Sequence, residues 1–171
     1  MALEPITLYK LIVLYMLDRV DFPLSNGTIT EFMLESGYTD FATTQQVIGI
    51  IQDDNLIHAA SNRRNTSYTL TDEGRDMLEY FGNKISDEIK KEVNEFLSRN
   101  KYELKQAANI TSEMYQTGTG DYAVHCAVRE NNSNLIDLTL SVPDADMAGT
   151  MCDNWRERSQ EIYEFIMRRM L

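Results

Sequence analysis

The spacing of apolar residues changes near residue 100, and that change restricts the fold more than any other feature. Before residue 100 they recur at steps of three and four, the period of a helix face. From Tyr102 to Val142 they alternate with polar residues, the period of a half-buried strand. Helices followed by strands imply an α+β protein in two parts. The expected division is 1–83, a connecting helix over 84–100, and 101–171.

In the first part Pro5 opens a helix whose inner side is Leu8, Leu11, Ile12, Tyr15 and Met16. Asp21, Phe22 and Pro23 break it. Ser25 is placed to cap a second helix with Ile29, Phe32 and Met33 inside, and Gly37 to end it in a left-handed conformation. In "TTQQVIGIIQDDN" Thr43 and Gln46 have capping-box spacing, Val47, Ile48 and Ile51 form a buried stripe, and Asn55 tolerates a left-handed exit. Gly49 inside this helix marks either tight internal packing or close approach by another backbone. "LIHAA", "SNRRNT" and "SYTLT" spell a hairpin, and Thr71 caps a fourth helix with Asp72 and Glu73 in its first turn.

"QQVIGIIQDDNLI" followed by "YTLTDEGRDML" resembles the third helix and wing of winged-helix transcription regulators of the PadR and MarR type. Asn55 stands where that family commonly has Gly, while Thr71, Gly74 and Arg75 match its return motif. The resemblance covers roughly residues 5–82 and implies an N-terminal winged helix-turn-helix. The whole chain also looks like an uncharacterised bacterial family with such a module at its front.

The helix over 85–100 carries Ile85, Ile89, Val93, Phe96 and Leu97 on one face. It covers the first module, bridges the parts, or pairs in a dimer. Beyond it, Tyr102, Leu104, Ala108, Ile110 and Met114, then Tyr122, Val124, Cys126 and Val128, then Ile136, Leu138, Leu140 and Val142 alternate around turns at "GTGD" and "ENNSN". These predict a three-stranded antiparallel meander. A C-terminal helix opened by Pro143, Asp144 and Asp146 covers it with Met147, Met151, Trp155, Ile162, Ile166 and Met170. This second part is expected to dimerise or to sense a signal.

Little in the chain carries catalytic chemistry. Its two histidines, His58 and His125, have no second ligand at metal spacing, so no metal, cofactor or enzyme activity is expected. Cys126 follows His125 directly, and strand neighbours point to opposite faces, so the two make no catalytic pair. Cys126 and Cys152 read as reduced, buried thiols, with a disulfide as the alternative. The nine methionines read as core filler rather than a soft ligand site. The longest N-terminal apolar run, "LIVLYML", falls far short of the ~20 residues of a membrane span, so a cytoplasmic protein is expected.

The net charge of −11 argues against strong non-specific nucleic-acid binding, which basic residues supply. Double-stranded DNA remains the leading partner, with contacts from Thr43, Thr44, Gln45 and Gln46 at the start of the third helix and from Arg63 and Arg64 at the wing tip. Because so few cations are available, a homodimer on two half-sites is expected. The alternative is a winged helix that binds a protein partner through Ile50 and the third helix, which contains no Lys or Arg and ends in Asp53 and Asp54. A small-molecule sensor without DNA contact is the third reading.

Overall fold

The structure is a computed structural model that describes residues 3–61, 65–131 and 133–171. It is mixed α+β: α1 (Pro5–Asp18), β1 (Leu24–Ser25), α2 (Asn26–Glu35), α3 (Phe41–Asp53), β2 (Ile57–Ser61), β3 (Thr66–Leu70) and α4 (Asp72–Phe81), then α5 (Asp87–Asn109), β4 (Ile110–Gln116), β5 (Tyr122–Glu130), β6 (Ser133–Val142) and α6 (Ala145–Met170). The chain divides into two compact units, one running to Leu104 and one from Lys105 to Leu171.

In the first unit a small antiparallel sheet has the order β1-β3-β2, with Leu24 opposite Tyr68 and Ile57 opposite Leu70. Local chemistry sets the helix ends. Ser25 accepts the Thr28 amide and caps α2, Gly37 turns left-handed after it, and Asn55 does the same after α3. One core gathers Leu14, Ile29, Phe32, Met33, Val47, Ile51 and Tyr68. Phe32 meets Phe96 edge to face at 5.2 Å between ring centroids.

Helix α5 covers this unit. Val93, Phe96 and Leu97 belong to its core, and Tyr38 donates a hydrogen bond to the Glu92 carboxylate. Burial and that carboxylate together hold the Tyr38 phenol above its ordinary pKa. The helix also runs further than its sequence pattern indicated. The strand expected from Tyr102 begins only at Ile110, and Tyr102 and Leu104 are helical. Lys101–Ala108 is rich in strong helix formers (Glu103, Leu104, Lys105, Gln106, Ala107 and Ala108), and extending an existing helix needs no new nucleus.

The second unit is the antiparallel sheet β4-β5-β6 with α6 on one face. Ala123 to Val128 of β5 pair on both sides, with a bulge after Val128. Asp144 is the N-cap of α6, accepting the Met147 amide at 2.8 Å, so the helix starts at Ala145, two residues after the start the sequence placed at Pro143. Ala148, Cys152 and Trp155 meet Val124 and Cys126 in the core. Cys126 and Cys152 are buried and not disulfide-bonded, and burial pushes the Cys126 thiol up to about 11. Among the described residues no helix is long and apolar enough to cross a membrane.

Candidate nucleic-acid interface

The polar start of α3 is built differently from its sequence pattern. Asp40, not Thr43, is the N-cap, and its carboxylate accepts the Thr43 amide at 2.7 Å. That bond holds the Asp40 pKa below the usual carboxylate value. An Asp in extended conformation just before a helix satisfies an orphan amide better than a Thr already inside it. The first consequence is electrostatic. The anion-seeking end of α3 already faces a carboxylate, which weakens its use for phosphate.

The four candidate residues divide into two pairs. Thr44 is fully buried and its hydroxyl donates to the Asp40 carbonyl at 2.8 Å, so it is not displayed to a ligand. Gln45 is also turned inward. Its amide nitrogen donates to Asn26 Oδ1 and Thr30 Oγ1, both at 3.0 Å, while its oxygen accepts from Asn26 Nδ2 at 2.8 Å. Asn26 also donates to the Tyr68 hydroxyl at 3.2 Å, so this network ties α2, α3 and β3 together. Thr43 is half-buried and Gln46 is exposed, with Phe41 60% exposed beside them. Arg63 and Arg64 lie outside the described residues.

Asn26 and Asp40 are the residues that sequence reasoning missed. An amide pair across 19 residues leaves no local periodic trace. Because both ends of the Gln45 side chain are satisfied in a part-buried site, Gln45→Leu is expected to remove three hydrogen bonds of this network and leave Asn26 held only by Tyr68 and Thr30. The cost is about 1–3 kcal/mol, read as a lowered denaturant midpoint with unchanged slope.

Helix α3 keeps its apolar side on the core through Val47, Ile48 and Ile51, while Gln46 and Asp53 are exposed. Gly49 does not mark a close approach, because a methyl group there would meet nothing within 4 Å. Ile50 is half-buried and outside the core cluster. Lys10 lies 4.0 Å from Asp54, which offsets the acidic end of the helix and engages a cation otherwise available for phosphate. Lys84 lies over the Phe81 ring at 5.4 Å. The described part of this surface can therefore hydrogen-bond base edges through Thr43 and Gln46, but it offers little charge neutralisation.

In the second unit no group of three or more potential metal ligands exists among the described residues. His125 lies on the sheet face opposite Cys126. Its Nδ1 is 3.0 Å from Glu113 and its Nε2 is 2.7 Å from Asp137. Hydrogen bonds to Glu113 and Asp137 raise its pKa above 6.5, so both ring nitrogens donate in the charged form. The folded value exceeds the unfolded one, so this clamp stabilises fully below pH 6.5 and its contribution is lost as pH rises through the folded value. His125→Gln is expected to lower Tm below pH 6.5 and to change it little well above that value, a difference that thermal melts at several pH values would read.

Residues 9–170 match the family described as a domain of unknown function, DUF4364, and the chain belongs to that family. No curated protein and no solved structure matches it.

Proposed function

We propose that this DUF4364 member is a DNA-binding transcriptional regulator that uses a winged helix-turn-helix and acts as a dimer. The observation that carries the reading is topological. The helix pair α2–α3 is followed by a hairpin, and the short strand β1 ahead of the pair adds to that hairpin in the order β1-β3-β2. This order and connectivity support a winged helix, in which the second helix of the pair enters the major groove and the hairpin meets the backbone. In this reading Gln46 and Thr43 contact bases. Arg63 and Arg64, joined to β2 and β3 by chain connectivity, contact phosphate. Thr44 and Gln45 hold α3 in place.

Two arginines per subunit give a dimer about four phosphate contacts, and a slope of log affinity against log salt of about −3.6. Fluorescence anisotropy with the protein's own upstream DNA at low salt tests this. The expected result is binding that is lost in the Arg63→Ala, Arg64→Ala double variant and weakened by Gln46→Ala, with stability unchanged in both. Absence of binding by a confirmed dimer removes the reading.

A second reading, docking of a protein partner, is favoured by Phe41, an aromatic ring 60% exposed at the head of a helix without Lys or Arg. There Phe41→Asp and Ile50→Asp abolish partner capture, while the arginine variant does not.

A further inference from the structure

The apolar face of the second sheet is wider than the helix that covers it. Three strands at about 4.8 Å spacing exceed what one helix about 10 Å across can shield. Helix α6 packs mainly on β4 and β5 and least on β6. The result is uneven burial of one apolar face. Val124 and Cys126 on β5 are 0% and 3% exposed, whereas Leu140 on β6 is 46% exposed.

Between β6 and α6 an open groove of about 570 Å³ remains, with Trp155 and Cys126 among its lining and Leu138 and Leu140 along the strand side. Glu161, Phe165 and Arg168 of α6 also line it. The last residue of α6 that packs on the core is Ile162, and beyond it Phe165, Met167 and Met170 are 55%, 39% and 78% exposed. Helix α6 therefore continues for about 12 Å past its last core contact, at 1.5 Å per residue. An apolar helix end beside an apolar groove on the same unit is self-complementary.

We propose that the groove receives the overhanging end of α6 from a second copy of this chain, with the two helix ends antiparallel about a two-fold axis. Charge selects this occupant and direction. The overhang runs from Glu161 and Glu164 to Arg168 and Arg169, so a parallel mate sets like charges together and an antiparallel mate sets opposite charges together. An axis between Glu164 and Phe165 places Glu161 of each copy against Arg168 of the other. Arg168 has no hydrogen bond or ion pair among the described residues, and Glu161 is held only by Arg158 at 3.3 Å, one turn back. One helix end in one groove is a small contact beside a standard interface of about 800 Å² per partner, so a weak, concentration-dependent dimer is expected. This assignment deepens the dimer part of the regulatory reading and rests on that part alone. It involves no DNA.

Sedimentation equilibrium of the full chain, without DNA and across the micromolar range, tests it. Wild type is expected to dimerise with rising concentration. Glu161→Arg, Arg168→Glu and Phe165→Glu, each with helical circular dichroism intact, are expected to dimerise at least about tenfold more weakly. A mixture of the Glu161→Arg and Arg168→Glu chains restores the dimer, because both contacts of the mixed pair are then of opposite charge. A dimer indifferent to the three substitutions overturns the proposal, as does a mixture that stays monomeric. A monomeric wild type whose Trp155 fluorescence responds to an apolar dye assigns the groove to a small amphipathic ligand and also overturns it. DNA binding measured separately by anisotropy shows whether the regulatory reading fails on its own account.

Discussion

Gly74→Ala is expected to destabilise the first unit by about 3 kcal/mol or more, in the upper range of overpacking substitutions. A methyl group at Gly74 would fall well inside contact distance of the Leu56 carbonyl oxygen and 2.7 Å from Leu70 Cδ1. The Leu70 side chain can rotate away, but the Leu56 backbone cannot withdraw. The Leu56 carbonyl accepts the Thr71 amide at 3.2 Å, and the Thr71 hydroxyl donates to the Asn55 carbonyl at 2.7 Å while accepting the Gly74 amide at 3.0 Å. The exit of α3, the end of β3 and the start of α4 are thus clamped at one point. Chemical denaturation followed by far-UV circular dichroism checks the size of the loss. A Gly74→Ala variant as stable as wild type means that the junction can relax, and the close approach then has no energetic meaning. The same contacts explain why Thr71 and Gly74 occur together in this stretch: one caps α4 and the other lets it approach α3.

Trp155→Ala is expected to cost about 3–5 kcal/mol, a large share of the usual total stability of about 5–15 kcal/mol. Trp155 is 3% exposed, it bridges α6 to β5, and its indole Nε1 donates to the Ala127 carbonyl at 3.2 Å. The core around it is small, its other buried members being Val124, Cys126, Val142, Ala148 and Cys152. Trp155→Phe separates the two contributions. It keeps most of the apolar contact and loses the hydrogen bond, with an expected cost of about 1–3 kcal/mol. Since Trp155 is the only tryptophan, its wild-type fluorescence reports on this unit alone, and circular dichroism follows the variants.

Most element boundaries in the first unit were legible because they depend on neighbours in sequence. Ser25, Gly37, Asn55 and Thr71 each act within a turn of their own position. The alternation over 122–142 fixed two strands for the same reason. Misreadings arose where two local signals competed. Thr43 and Gln46 have capping-box spacing, yet Asp40 three residues earlier is the better acceptor for the same amide. Tyr102 and Leu104 fit a strand period, yet they follow a helix already nucleated and are surrounded by helix-forming residues.

The sequence by itself determined where most helices and strands lie, which residues are apolar enough to be inside, and that the chain is acidic. These follow from spacing, capping and charge, which act over a few residues. Only the tertiary structure decided which polar side chains remain available. Gln45 and Gln46 are chemically identical neighbours, but one is consumed by Asn26 and Thr30 and the other faces solvent. The same holds for the apolar surplus of α6, which reads as an ordinary core stripe until the width of one helix is set against three strands. Partner availability depends on residues distant in sequence, and no periodic pattern encodes it.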